Sequence, residues 1–123
     1  MKVDILKEIV ENARPKLDSY KNCGPINQKI KSELQNQGIK SEYVEGRLTK
    51  YGLRGNGPEH GFVIVVDEKL VDSEPIIVDG AIRQFCDERK ECGEIFFSLG
   101  ERKSLPQCAV LKPSNELYDH YLY

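Results

Sequence analysis

Three residues in this chain have the types and spacing to break or exchange an acyl bond. They are Cys23 in NCGPINQKI, His60 in HGFVIVVD and Asp79 at the end of PIIVD. Cysteine attack on a carbonyl needs an ionised thiol, a base to hold or return its proton, and a group that fixes the base's orientation. Cys23 stands directly before Gly-Pro at the opening of a helical pattern, where unsatisfied N–H groups and the helix dipole favour a thiolate. A thiol with a pKa near 8.5 is mostly protonated at neutral pH, and lowering that value by one unit favours the thiolate by roughly 1.4 kcal/mol. The chain has two histidines. His120 falls in a tyrosine-rich tail and reads as a surface residue. His60 begins a strand pattern and shares a face with Phe62 and Ile64, so its imidazole belongs where core meets cleft. If the strands of HGFVIVVD and PIIVD form a hairpin, His60 and Asp79 lie at matching ends, and Asp79 accepts the imidazole N–H and fixes its tautomer.

Several elements must position these groups. Val3, Leu6, Ile9, Val10, Ala13 and Leu17 keep helical spacing, but Pro15 predicts a helix to about residue 13, then a turn or a second short helix. A second helix opens at NCGPINQKI, with Pro25 in its first turn, Ile26, Ile30 and Leu34 as an apolar stripe, and Gly38 as its stop. SEYVEGRL (41–48) reads as a strand, and KYGLRGNGPE as a loop beside His60 that could wall a cleft. HGFVIVVD (60–67) and PIIVD (75–79) are the strongest strand signals, rich in β-branched residues. AIRQFCDERK reads as a short helix or turn, and EIFFSL and QCAVLK as two further strands. SNELYDHYLY has Leu117 and Tyr121, and Tyr118 and Leu122, at helical spacing behind Ser114 as N-cap, which predicts a terminal helix. The sum is one α+β domain over residues 1–123, with N-terminal helices packed on an antiparallel sheet.

Composition bounds the function classes. At 123 residues, 39% hydrophobic and 31% charged, the chain has room for one modest core and lacks the composition of a disordered or membrane protein. The longest apolar run, residues 62–66, is too short to span a bilayer, and the N-terminus alternates charged with apolar residues rather than forming a signal peptide. A soluble, cytoplasmic protein is the expectation. The 18 basic and 20 acidic residues are mixed along the chain, so no basic block points to nucleic acid. Cys86, Cys92 and Cys108 lack paired metal-site spacing and read as buried thiols. A small zinc-stabilised domain is a weak third reading. LRGNGPE is no phosphate loop, since no strand–loop–helix with a Lys-Ser/Thr follows it.

The order of a cysteine at a helix start, a histidine at a strand start and an aspartate ending the next strand resembles the transglutaminase-like branch of the papain-like cysteine enzymes. The run from Cys23 through QKIKSELQNQGIKSEYVEG resembles that family's helix, glycine stop and outgoing strand. HGF matches its histidine with an aromatic two residues on. DGAIRQF (79–85) is similar to the aspartate motif of small bacterial and phage members. The resemblance spans residues 15–86. Ala81 stands where the family often has threonine, and Phe62 where it often has tryptophan. It implies a papain-like core and a Cys23–His60–Asp79 triad, with Gln84 and Phe85 pinning the aspartate's turn. The implied activity is acyl transfer or hydrolysis on an amide or thioester of a peptide or protein, without a cofactor. The papain branch carries an oxyanion-stabilising glutamine just before the cysteine, whereas KLDSYKNC has none. The N–H of Cys23 is one donor in its place, with Asn22 or Tyr20 as the other. A second reading of the same resemblance is a papain-like fold that has lost catalysis and serves as a protein-interaction module.

Overall fold

The computed structural model describes residues 2–17, 23–48, 59–80, 108–115 and 118–123. In chain order these form α1 (Lys2–Leu17), α2 (Cys23–Asn36), β1 (Ser41–Leu48), β2 (Glu59–Val65), β3 (Ile76–Asp79), β4 (Ala109–Leu111), a 3-10 turn (Tyr118–His120) and β5 (Tyr121–Leu122). The fold is α+β, with a curled antiparallel sheet in the order β4-β3-β2-β1-β5. Of the predicted loop 50–59, residues 50–58 lie outside the described residues, as do the segment AIRQFCDERK and the strand EIFFSL, while Glu59 pairs with Arg47 and already belongs to β2.

The apolar stripe of α1 explains its length. Leu6, Val10, Ala13 and Leu17 are all buried, so the inward face continues past Pro15. The expected break after residue 13 does not occur, and α1 runs to Leu17 with an exposed Pro15 inside it. An interior proline costs about 3 kcal/mol. Full burial of a leucine returns about 1.5–3 kcal/mol, and Leu17 supplies it from the last helical position.

α2 ends as its glycine predicts. Gly38 has φ of 76°, its N–H donates to the Gln35 carbonyl at 3.0 Å, and the Ile39 N–H donates to the Leu34 carbonyl at 3.0 Å. This is a Schellman cap, closed by contact between the buried Leu34 and Ile39. The chain is thereby turned straight into β1.

Residues 60–65 of β2 and all of β3 are buried, because the sheet carries apolar side chains on both faces. One face sets Val63, Val65, Ile76, Val78 and Val110 against Leu6, Val10, Ile26, Ile30 and Leu34 of the two helices. The other gathers Phe62, Ile64, Ile77, Ala109, Leu111, Tyr118 and Tyr121. Two-sided burial is why these strands read as continuous apolar runs instead of alternating ones. The 3-10 turn is tied to the start of β3 by the Tyr118 hydroxyl, which donates to the Pro75 carbonyl at 2.5 Å. Burial first, and then the neighbouring Tyr123, hold that phenol well above its usual pKa.

The tail departs from expectation. Residues 112–115 turn on a hydrogen bond from the Asn115 N–H to the Lys112 carbonyl, so Ser114 does not cap a helix. Tyr121 and Leu122 then pair with Leu48 and Arg47 of β1. Edge pairing satisfies their backbone groups and buries Tyr121, which an isolated amphipathic turn would leave in solvent.

The exit from β2 is fixed by Asp67, whose carboxylate accepts the Lys40 N–H at 3.0 Å and the Lys69 N–H at 3.0 Å. Those two backbone bonds hold its pKa below the ordinary 3.8. A folded-state pKa below the unfolded one stabilises the fold above the ordinary value and ceases to do so as pH falls through the folded value. The stability difference between wild type and Asp67→Asn should therefore be constant above about pH 5 and close below pH 3.8. Urea midpoints measured from pH 7 to pH 2.5 test this, and a gap that widens on acidification would refute it. For the cap, Gly38→Ala should cost about 1 kcal/mol, all of it backbone strain, since an added methyl there meets nothing within 4 Å. An unchanged urea midpoint in this variant would show that the positive φ carries no penalty.

Candidate active site

β2 and β3 pair with Val63 opposite Val78, Ile64 opposite Ile77 and Val65 opposite Ile76. Extending that register by one step puts Phe62 opposite Asp79. His60 is therefore a diagonal neighbour of Asp79 on the same sheet face, instead of lying directly across from it. Diagonal neighbours are within reach of long side chains. The His60 Nε2 lies 2.6 Å from Asp79 Oδ2, and both side chains are fully buried. Burial keeps water from screening their attraction, so the contact orients the ring more firmly than a surface pair could.

Asp79 has further partners that the sequence did not announce. The Tyr121 hydroxyl donates to the same Oδ2 at 2.6 Å. Asn27 Nδ2 donates to Oδ1 at 3.3 Å and to the Gly61 carbonyl at 2.8 Å, while Asn27 Oδ1 accepts the Gly80 N–H at 2.7 Å. Asn27 is itself fully buried and ties α2 to the ends of β2 and β3. Its signal was available: it stands one helical turn after Cys23, beside the stripe that docks on the sheet. Tyr121 had no such signal, because its role depends on a strand pairing that the tail's helical spacing concealed.

The aromatic setting is dense. The Tyr121 ring meets Phe62 edge-on at 4.9 Å between centroids, and Phe62 lies 6.1 Å from the His60 ring at 27°. Phe62 therefore walls the imidazole from the core side, on the face where the sequence placed it.

A cleft of about 450 Å³ opens at His60, lined also by Gly24, Tyr43, Glu45, Gly46, Arg47 and Gly61. Gly24 belongs to the first turn of α2, so one wall of the cleft is the helix start and another is the β1–β2 pair. Cys23 is the first residue of α2. The helix opening and the His60–Asp79 pair thus border one cleft. Nε2 of His60 faces Asp79, and its other ring nitrogen, Nδ1, is buried. The N–H groups of the first helical turn have no intrahelical acceptor and favour negative charge there. A larger hollow of about 710 Å³ lies between α1 and the end of α2, but no cysteine or histidine among the described residues lines it.

Other sequence-derived candidates fall differently. Asn22, Tyr20, Gln84, Phe85, Cys86 and Cys92 lie outside the described residues. Cys108 is fully buried, with its Sγ 4.0 Å from the Gly80 carbonyl. His120, expected at the surface, is half-buried in the 3-10 turn. No group of three or more metal-binding side chains occurs among the described residues. None of their helices is long and apolar enough to cross a membrane. Comparison with protein-family models, curated proteins and solved structures gave no match.

Asn27 gives the first test of this arrangement. Asn27→Ala leaves the Gly61 carbonyl and the Gly80 N–H to be satisfied some other way, so it should cost about 2–4 kcal/mol in urea unfolding. A loss below about 0.5 kcal/mol would mean that the bridge from α2 to the sheet contributes nothing to holding them together.

Proposed function

We propose that this chain is a cysteine-dependent acyltransferase or hydrolase of the transglutaminase-like kind, built on a papain-like core, and that it acts on an amide or thioester of a peptide or protein. The observation that supports this most is the buried His60 Nε2–Asp79 Oδ2 contact of 2.6 Å, bordering the same cleft as the helix that begins with Cys23.

In this reading His60 Nδ1 takes the Cys23 proton and the thiolate attacks the substrate carbonyl. A carbon–sulfur bond forms and the carbonyl π electrons move to oxygen. The oxyanion is met by the backbone N–H of Cys23 at the helix opening, with Asn22 or Tyr20 as second donor. Collapse expels the leaving amine, which receives its proton from the imidazolium, or a leaving thiolate if the substrate is a thioester. The acyl group is then passed to water or to an amine, with His60 as the base for the second step. Asp79 stays ionised and holds the ring with Nδ1 toward the cleft. The residues of the triad are sufficient for these proton movements.

The test is the alkylation rate of Cys23 by iodoacetamide against pH, with mass spectrometry to identify the modified thiol. Cys23 should react selectively below pH 7, and His60→Ala should slow it at that pH by about 10²-fold or more. Asp79→Asn should reduce the rate in the same direction. Were Cys23 to alkylate like the other thiols with or without His60, the acyl-transfer reading would be wrong.

A further inference from the structure

The C-terminal strand reaches the centre of the site. Asp79 is in β3 and Tyr121 in β5, and both β2 and β1 lie between those strands in the sheet order. The hydroxyl crosses that gap because Tyr121 pairs with Leu48, which puts its side chain on the face that also carries His60, Phe62 and Asp79. The sheet must curl over Gly46 for this to happen. A Cβ on Gly46 would run into the Leu122 carbonyl and press on the Phe62 ring, so the backbone of β5 can approach only because residue 46 has no side chain.

At the end of this reach two short contacts converge on one oxygen. His60 Nε2 and the Tyr121 hydroxyl each lie 2.6 Å from Asp79 Oδ2, while Oδ1 is left to Asn27 at 3.3 Å. A carboxylate oxygen presents two lone pairs, so one used by the tyrosine directs the other to the imidazole. Rotation of the carboxylate would break both short contacts together.

We infer that Tyr121 is a positioning residue for Asp79, and that the strand β5 is an integral part of the site, setting the carboxylate against His60. Its consequence for Cys23 rests on the acyl-transfer reading, but the positioning itself does not. Docking of β5 on β1 is thereby coupled to the orientation of the imidazole. With β5 off the edge of β1, Asp79 keeps Asn27 but loses the donor that fixes its rotation.

Proton NMR on the full chain with histidine labelled in the ring tests this without a substrate. The short contact predicts a far-downfield ring N–H for His60 in wild type, absent in Asp79→Asn. In Tyr121→Phe, which keeps the ring against Phe62, that proton should exchange with water about tenfold faster or more, the consequence of losing a hydrogen bond to a charged group. Tyr118→Phe is the control, since it also removes a short tyrosine hydroxyl bond, but a part-buried one made to the Pro75 carbonyl. It should leave the His60 proton unchanged. Gly46→Ala should reproduce the Tyr121→Phe effect with the hydroxyl intact, by displacing β5. The inference is overturned if wild type shows no downfield proton, if Tyr121→Phe exchanges at the wild-type rate, or if Tyr118→Phe accelerates exchange equally. An unreactive Cys23 together with the expected NMR result would remove the proposed function and leave the positioning role standing.

Discussion

A fully buried carboxylate at the end of a central strand is the constraint around which this structure is organised. Removing an ionised carboxylate from water is costly unless its oxygens are met by donors. Among the described residues Asp79 is met by His60 on β2, Asn27 on α2 and Tyr121 on β5. None of these can shift without exposing the others to an unsatisfied charge. The arrangement therefore fixes the docking of α2 and the path of the tail as well as the orientation of one imidazole.

The two faces of the sheet have different parts in this. The helix-facing side is an ordinary aliphatic core, in which Ile30, Leu34 and Leu6 cover Val63, Val65 and Val78. The opposite side is aromatic near the site, with Phe62 and Tyr121 beside His60. Rigid rings held edge to face restrict the imidazole with little conformational freedom left to lose. Asn27 joins the two sides: its helix belongs to the aliphatic face, yet its amide reaches around the strand ends to the carboxylate. The cleft opens at that junction, where α2 begins and the β1–β2 pair passes beneath it. One wall of the cleft is the helix opening with its polar N–H groups, and the other carries the exposed Glu45 and Arg47.

Much of this was legible in the chain. The strand of residues 41–48, the antiparallel pairing of β2 with β3, the helix from Cys23 and its glycine stop all follow from periodicity and turn chemistry, which act over a few residues, although β2 ends at Val65, two residues short of the expected strand. The His60–Asp79 contact was also readable, because hairpin partners at matching ends are brought together by local pairing alone. The register decided the detail, making them diagonal rather than opposite neighbours. Pro15 misled because its local cost is real, yet burial of Leu17 two residues later offsets most of it.

The tail marks the limit. Its helical spacing is present in the sequence, but Tyr121 is claimed by the free edge of β1 and by the charge on Asp79, neither of which is near it in the chain. Asn27 stands at a legible place, one helical turn after Cys23, but the carboxylate it serves comes beside it only once the sheet has formed. Short-range pattern carried most of the elements and the His60–Asp79 contact. Only the tertiary structure decided which groups satisfy the buried carboxylate, because that demand arises once the strand ends are closed off from water, and the donors that answer it come from wherever packing has put them.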